Sequence, residues 1–444
     1  MTNYSFKSMT EQAIAIQKNL ISPVTLLEEF FNNIKDEKNH NQIFSEIYFK
    51  DAIIEARKSE YRQKDGSRKS FFDGIVLNWK DLFDIKKRKC EGGTLLLSGR
   101  VSKIDSEVYK NTKKKGLITI GKTHLTELAF SGLGVNPKTA TPPNSIKKLV
   151  APGGSSSGAA VATALNLSSA GIGSDTGGSV RIPAAWNNLV GFKPTHGKLS
   201  LNGVLKLCPN FDTIGPITKT VKDSFYMYKI LRNENLSPMN IDTIKNKIFF
   251  IDTSFLTQNV CEQVEKSFQL SIIKIKKTGA QIKEINFNEI IEATEIAKKL
   301  FPYEAYNSWK KIIEANPEKM YPPILSRFRG GINITRKEYL AAWNELKRLR
   351  TIFISKIKKC DAVIAPTCPI MPPLVEKLLE NFNFFTTSNL LALRNTRVAN
   401  IFGLTSITIP TEISNCGLML LSKPDNEIKL LEATYLIEQY LNNY

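Results

Sequence analysis

Leu149-Val150-Ala151-Pro152-Gly153-Gly154-Ser155-Ser156-Ser157-Gly158 opens a stretch that continues through Gly173-Ser174-Asp175-Thr176-Gly177-Gly178-Ser179-Val180-Arg181 to Gly191-Phe192. Only Asp175 and Arg181 are charged in it, whereas about ten charged residues are expected from the 23% of the whole chain. Gly, Ser, Ala and Thr fill most of the rest. Between the two glycine-rich segments lies Ala160-Val161-Ala162-Thr163-Ala164-Leu165, which a flexible Gly/Ser linker would not contain. The stretch therefore reads as a buried small-residue helix set between glycine-rich turns. Such a region is crowded with backbone and suits a site where amides approach a ligand closely.

Outward from this stretch, strand and helix alternate. Ile75-Val76-Leu77 reads as a buried strand leading into Asn78-Trp79-Lys80-Asp81. Leu117-Ile118-Thr119-Ile120 reads as another, and Lys122 and Thr123 are expected to start a helix that includes Leu125, Leu128 and Phe130. This alternation predicts an α/β sheet domain. The first 60 residues read as helices, with Ser8 or Thr10 capping one and Ser22-Pro23 starting the next. Leu26, Leu27, Phe30, Phe31 and Ile34 keep helical spacing there, and Glu28 and Glu29 lie near the positive helix end. Residues Val260 to Trp343 read mostly as helices, and Asp361 to Pro366 and Ile407 to Pro410 as buried strands. No repeat or linker splits the chain. It is expected to be one domain over 1–444: a helical part (1–65), a catalytic core (66–245), a variable and mostly helical substrate region (246–350), and a part completing the sheet (351–444).

Apolar residues make up 42% of the chain, which is ordinary for a soluble protein and enough to bury a site. No apolar run reaches 18 residues, so no membrane-spanning helix is expected, and neither end reads as a secretory signal or an anchor. The six cysteines are scattered without a CxxC pair, which points to free thiols and a cytoplasmic location. The net charge of +19 invites a nucleic-acid reading. Lysines, however, are spread along the chain among Ile and Asn, and Lys113-Lys114-Lys115 has no interleaved aromatics to stack bases. A solvated basic surface is the expectation, with no nucleic-acid partner.

Two motif matches are set aside. Gly116 to Thr123 fits G-x-x-x-x-G-K-T, but its variable positions are Leu117, Ile118, Thr119 and Ile120, a run that prefers an extended strand to a phosphate cradle. Gly154 to Gly158 fits G-x-S-x-G, whose chemistry needs an acid and then a histidine downstream. Of the three histidines only His196 follows, which leaves little room for the acid. If a serine is activated here, the base is thus something other than histidine. A lysine can serve when burial lowers its pKa. Lys80 ends an apolar strand directly after Trp79, either in that role or simply paired with Asp81 or Asp84. Ser179 follows a glycine pair that lets backbone N–H groups converge on one oxygen. A Gly-rich turn holding an anion is the alternative there.

Together, Pro152 to Gly158, Gly173 to Arg181 and Gly191-Phe192-Lys193-Pro194-Thr195 closely resemble the amidase signature. Trp79-Lys80-Asp81, Gly121-Lys122-Thr123 with Glu127, and Phe211 to Pro216 resemble neighbouring segments of that family. The similarity is dense from about Gly74 to Asp223, thins between about 245 and 350, and returns around Pro366-Thr367 and Asn400 to Pro410. The resemblance implies a single large α/β domain with a mixed, mostly parallel sheet surrounded by helices. It implies Lys80 as base, Ser155 on a cis peptide as the middle serine, and Ser179 as nucleophile. The backbone amides of Thr176, Gly177, Gly178 and Ser179 would form the oxyanion hole. It implies cleavage of a small carboxamide or urea-like amide, through an acyl-enzyme, to acid plus ammonia or amine. No metal or cofactor is called for.

The alternative within the family is the glutaminase component of a tRNA-dependent amidotransferase, which works with partner subunits. Those glutaminase components usually show Arg-Gln-Pro-Ala after the nucleophile, whereas this chain has Arg181-Ile182-Pro183-Ala184. They also usually carry an acidic residue where this chain reads Leu393-Arg394-Asn395-Thr396-Arg397. Both departures favour a free-standing hydrolase acting on a small molecule, with a homodimer left open. Phe301, Tyr303, Tyr306 and Trp309 could line an acyl pocket or be core, and Arg394 or Arg397 could meet an acidic substrate group. The substrate-binding residues are not identified by sequence.

Overall fold

Ser8 accepts a hydrogen bond from the Glu11 amide while the Glu11 carboxylate accepts one from the Ser8 amide, a reciprocal cap that starts helix Met9–Gln17. Ser22 caps helix Pro23–Asp36 with proline in its first turn, as the sequence predicts. Thr10 is not the cap. Its amide and hydroxyl reach instead to the buried Asp223 carboxylate, at 2.9 and 2.6 Å. The chain is described by a computed structural model over residues 2–241 and 243–442; residues 1, 242, 443 and 444 of the expected domain lie outside the described residues.

Among the described residues, eleven strands form one sheet. In chain order they are β1 (Phe44–Ile47), β2 (Val76–Lys80), β3 (Ile118–Thr123), β4 (Ala170–Asp175), β5 (Val190–Lys193), β6 (Thr213–Thr218), β7 (Ile248–Asp252), β8 (Gln281–Ile285), β9 (Ala362–Pro366), β10 (Thr405–Pro410) and β11 (Gly417–Ser422). Their order across the sheet is β1-β3-β2-β4-β6-β5-β10-β11-β9-β7-β8. β2, β4, β5 and β9 are buried along their whole length, because helices cover both faces of the middle of the sheet. Among those covers is helix Ser157–Ala164, all small residues, which lies close against β4.

The sheet is mixed, as expected, but it is not mostly parallel. β2–β3, β2–β4, β7–β8 and β7–β9 are parallel. β1–β3, β4–β6, β5–β6, β5–β10, β10–β11 and β9–β11 are antiparallel. A physical reason is visible at β10–β11: residues 411–416 join them, too short a connection for the crossover that parallel neighbours need.

The expected helix beginning at Lys122 is also corrected. Lys122 and Thr123 are the last residues of β3, paired with Trp79 and Lys80. The strand runs on because the buried Lys122 ammonium finds Asp81 at 3.1 Å and the Lys89 carbonyl at 2.7 Å. Beyond it, Leu128 and Ala129 have φ of 47° and 60°, which no helix tolerates, and only a 3-10 turn over Glu127–Ala129 remains. Within the region expected to be mostly helical lies β8, an edge strand whose exposed Lys283 and Glu284 hide any apolar alternation.

Candidate active site

Lys80 stands at the end of β2 with no exposed surface. Its ammonium donates to Ser155 Oγ at 2.7 Å and to Ser174 Oγ at 2.9 Å. Burial draws its pKa down to about 7, against the opposing charges of Asp175 and Asp212. Neither Asp81 nor Asp84 is its partner: Asp81 pairs with Lys122 and Asp84 with Arg100. The structure thus separates the lysine from the two carboxylates that its sequence position suggested.

Ser155 follows a cis peptide bond from Gly154, and its carbonyl accepts from the Thr126 amide at 3.2 Å. Ser179 lies in the loop between β4 and helix Arg181–Trp186. Its Oγ makes no hydrogen bond to any described residue, so the two serine hydroxyls are near Lys80 and the loop respectively without bonding each other.

A buried ion pair shapes that loop. Arg181 meets Asp175 through Nη2–Oδ1 at 2.9 Å and Nε–Oδ2 at 3.1 Å, and neither side chain is exposed. The Asp175 oxygens also accept from the Gly178 and Val180 amides, at 2.8 and 3.1 Å. Burial would raise the Asp175 carboxyl, but the Arg181 charge and hydrogen bonds hold it down at about 2. Arg181 reaches on to the Thr396 carbonyl at 2.8 Å and Asn400 Oδ1 at 2.7 Å. Thr396 Oγ1 in turn donates to the Gly177 carbonyl at 2.8 Å. Gly178 has φ of 133°, and a Cβ there would lie 2.1 Å from Thr396 Oγ1, so only glycine fits.

These contacts modify the expected ring of four amides. The Gly178 N–H is taken by Asp175, while those of Thr176, Gly177 and Ser179 have no partner among the described residues. Thr176, Gly177 and Ser179 face a small cavity of about 20 Å³, also lined by Phe130, Phe301, Leu393, Arg327 and Arg397. A larger cavity of about 240 Å³ adjoins it and shares Phe130, Phe301, Arg327 and Arg397.

Of the four aromatics singled out by sequence, Phe301 lines both cavities. The others serve packing: Tyr303 stacks on Tyr339, Tyr306 reaches Glu314, and Trp309 donates to the Lys206 carbonyl. Arg397 lines the cavity; Arg394 does not, lying over the Phe255 ring and bonded to Asn395. Sequence reasoning missed Arg327 and Asp212. Asp212 accepts from Thr176 Oγ1 at 2.6 Å and from the Leu207 amide at 2.9 Å, and burial pushes its carboxyl up to about 6. Asp175 and Arg181 stood out in the sequence as the two charges of an otherwise uncharged stretch, and the structure shows that they pair with each other.

The sequence profile of the family described as Amidase matches residues 25–431. The chain is 26% identical to a glutamyl-tRNA(Gln) amidotransferase subunit of Endomicrobium trichonymphae, over 91% of this chain and 89% of that one. It is 28% identical to the 2-amino-5-chloromuconic acid deaminase of Comamonas testosteroni, over 72% of this chain and 71% of that one. A crystal structure of an amidase superposes with a TM-score of 0.90 at 26% identity, covering 98% of this chain and all of that one. No helix among the described residues is long and apolar enough to cross a membrane.

Proposed function

The chain belongs to the Amidase family, and from that premise we propose that it hydrolyses a small carboxamide or urea-like amide with Ser179 as nucleophile, Ser155 as proton relay and Lys80 as base. The observation that carries this reading is the fully buried Lys80 ammonium, drawn down to about 7 and hydrogen-bonded to Ser155 at 2.7 Å. A lysine that is half neutral at physiological pH can take a proton.

In the proposed reaction, Ser179 Oγ attacks the amide carbonyl while its proton passes to Ser155 Oγ and the Ser155 proton passes to neutral Lys80. Catalytic hydrogen bonds commonly tighten only once substrate is seated, and the Ser179–Ser155 step depends on that. The oxyanion is held by the N–H groups of Thr176, Gly177 and Ser179, which have no other partner among the described residues. The C–N bond then breaks, the relay returns its proton to the departing nitrogen, and ammonia or an amine leaves an acyl ester on Ser179. Water, deprotonated by the same path, cleaves the ester and releases the acid.

Because the neutral lysine is the active form, kcat/KM is expected to fall below about pH 7, the value to which burial draws Lys80. The fall should approach about tenfold per pH unit on the acid side, since one protonation is involved. Lys80→Met is expected to lose roughly 10²–10⁴-fold in rate together with that acid limb. A profile flat between pH 5 and 8, approximately the range around the Lys80 value, would exclude Lys80 as base.

The direct test is ammonia release from a panel of primary amides, glutamine and urea derivatives included, by the purified chain. Turnover that disappears in Ser179→Ala supports a free-standing amidase. Silence across the panel, with activity only after addition of partner subunits and charged tRNA, would replace this reading by the amidotransferase.

A further inference from the structure

Two arginines line the cavity beside Ser179, and neither has a counter-charge among the described residues. Arg327 comes from helix Pro322–Arg329 and Arg397 from helix Thr396–Ile401. Neither guanidinium makes a hydrogen bond or salt bridge to a described residue, and Arg327 Nε and Arg397 Nη2 are buried without a partner. Each has only an aromatic ring nearby: Arg327 lies 4.4 Å from the centre of Phe130, and Arg397 5.6 Å from that of Phe301. Burial pulls Arg327 down to about 9, with the Arg397 charge adding to it, and burial pulls Arg397 down to about 10. Cys208 is no counter-charge, because burial pushes its thiol up and keeps it neutral. Each residue is half-buried with a guanidinium nitrogen out of reach of water, and a charge so placed without compensation is costly.

The segments that carry both arginines are anchored to the site. Thr396, next to Arg397, is tied to the Gly177 carbonyl and to Arg181. Arg397 therefore borders the loop of Ser179, with its Nε 3.8 Å from where a Gly177 Cβ would stand. On the other side, the buried Glu127 carboxylate accepts from the Tyr321 amide at 2.9 Å, just ahead of the helix that carries Arg327. Among the described residues, no Asp or Glu lines either cavity.

We propose that this cavity takes an amide bearing a carboxylate on its acyl side, held by Arg327 and Arg397 together. The proposal rests on the amidase reading for the reaction, and adds the class of substrate. A guanidinium matches a carboxylate in a two-bonded fork, and the pair would be relieved of mutual repulsion by the anion. The acyl side is the part that stays attached to Ser179 while the amine departs, so a fixed anchor beside the nucleophile serves it. An α-amino acid amide is disfavoured, because its ammonium would sit beside two arginines with no carboxylate in the lining.

The test compares succinamate and glutaramate with butyramide and with glutamine. The wild-type chain is expected to prefer the carboxylated amides. In Arg397→Met and Arg327→Met the ratio of kcat/KM for succinamate over butyramide is expected to fall roughly 10- to 100-fold, chiefly through KM. The lysine variants should fall between, since lysine keeps the charge but not the fork. Without ligand, the methionine variants are expected to unfold at the wild-type temperature or above it, because an unpaired half-buried charge is removed; a lower temperature would mark a structural role instead. Calorimetry of succinate and glutarate on Ser179→Ala reads the anion site independently of turnover, and Arg397→Met added to it should abolish binding. Dicarboxylate binding with no amide turned over would leave the anion site standing and sink the amidase reading. Turnover with no preference for carboxylated amides, or an unchanged ratio in both arginine variants, would overturn the anion site and leave the amidase.

Discussion

Ser179→Ala is expected to reduce amide hydrolysis by about 10⁴–10⁶-fold, the scale seen when the nucleophile of a serine hydrolase is removed. What remains would come from the backbone amides of Thr176, Gly177 and Ser179, which the substitution leaves in place. The same variant should keep its unfolding free energy within about 0.5 kcal/mol of wild type, because Ser179 Oγ has no hydrogen bond to lose among the described residues. Loss of activity with unchanged stability separates a chemical role from a structural one. Steady-state ammonia release and urea unfolding on one preparation decide it, and appreciable residual turnover would remove Ser179 from the mechanism.

The second large effect is on the pair beneath the loop. Asp175→Asn leaves the Arg181 guanidinium fully buried without its counter-charge and is expected to cost about 3–5 kcal/mol of stability. Activity should fall as well, since the Asp175 oxygens also hold the Gly178 and Val180 amides on either side of Ser179. The companion Arg181→Met strands the carboxylate instead, and the double replacement is expected to recover part of the combined loss. Urea titrations of the four proteins measure this coupling, and strict additivity would mean that the pair does not act as one unit. The sign of the pH effect follows from a folded carboxyl held at about 2, below its ordinary 3.8. The stabilisation is complete above the ordinary value and is lost as pH falls through the folded one.

Some elements were legible because a local rule is sufficient for them. Ser22 with Pro23 marks a helix start whatever lies around it, whereas Ser8 and Thr10 stood as equal candidates until Asp223 took Thr10. The apolar runs Ile75-Val76-Leu77 and Ala362 to Pro366 mark β2 and β9 as strands buried on both faces. Where the sequence misleads, a distant partner overrides the local preference. Lys122 stays in β3 because Asp81 and Lys89 receive its ammonium. The apolar spacing of Leu125, Leu128 and Phe130 does not form a helix, because Glu127 is drawn to Thr94 and Tyr321 and the chain turns through left-handed positions there.

By itself the sequence determined the α/β character, the family, the buried small-residue helix and the identity of Lys80, Ser155 and Ser179 as the groups to examine, because each is written in contiguous residues. Tertiary structure alone decided which charges meet. Lys80 sits within hydrogen-bond reach of Ser155 and away from Asp81, and Asp175 and Arg181 lock together behind the Ser179 loop. It also decided that Arg327 and Arg397, 70 positions apart, face the same cavity with no acid among the described residues of its lining. Pairing of charges and shape of a cavity depend on segments brought together from across the sheet, and a one-dimensional pattern does not carry that distance.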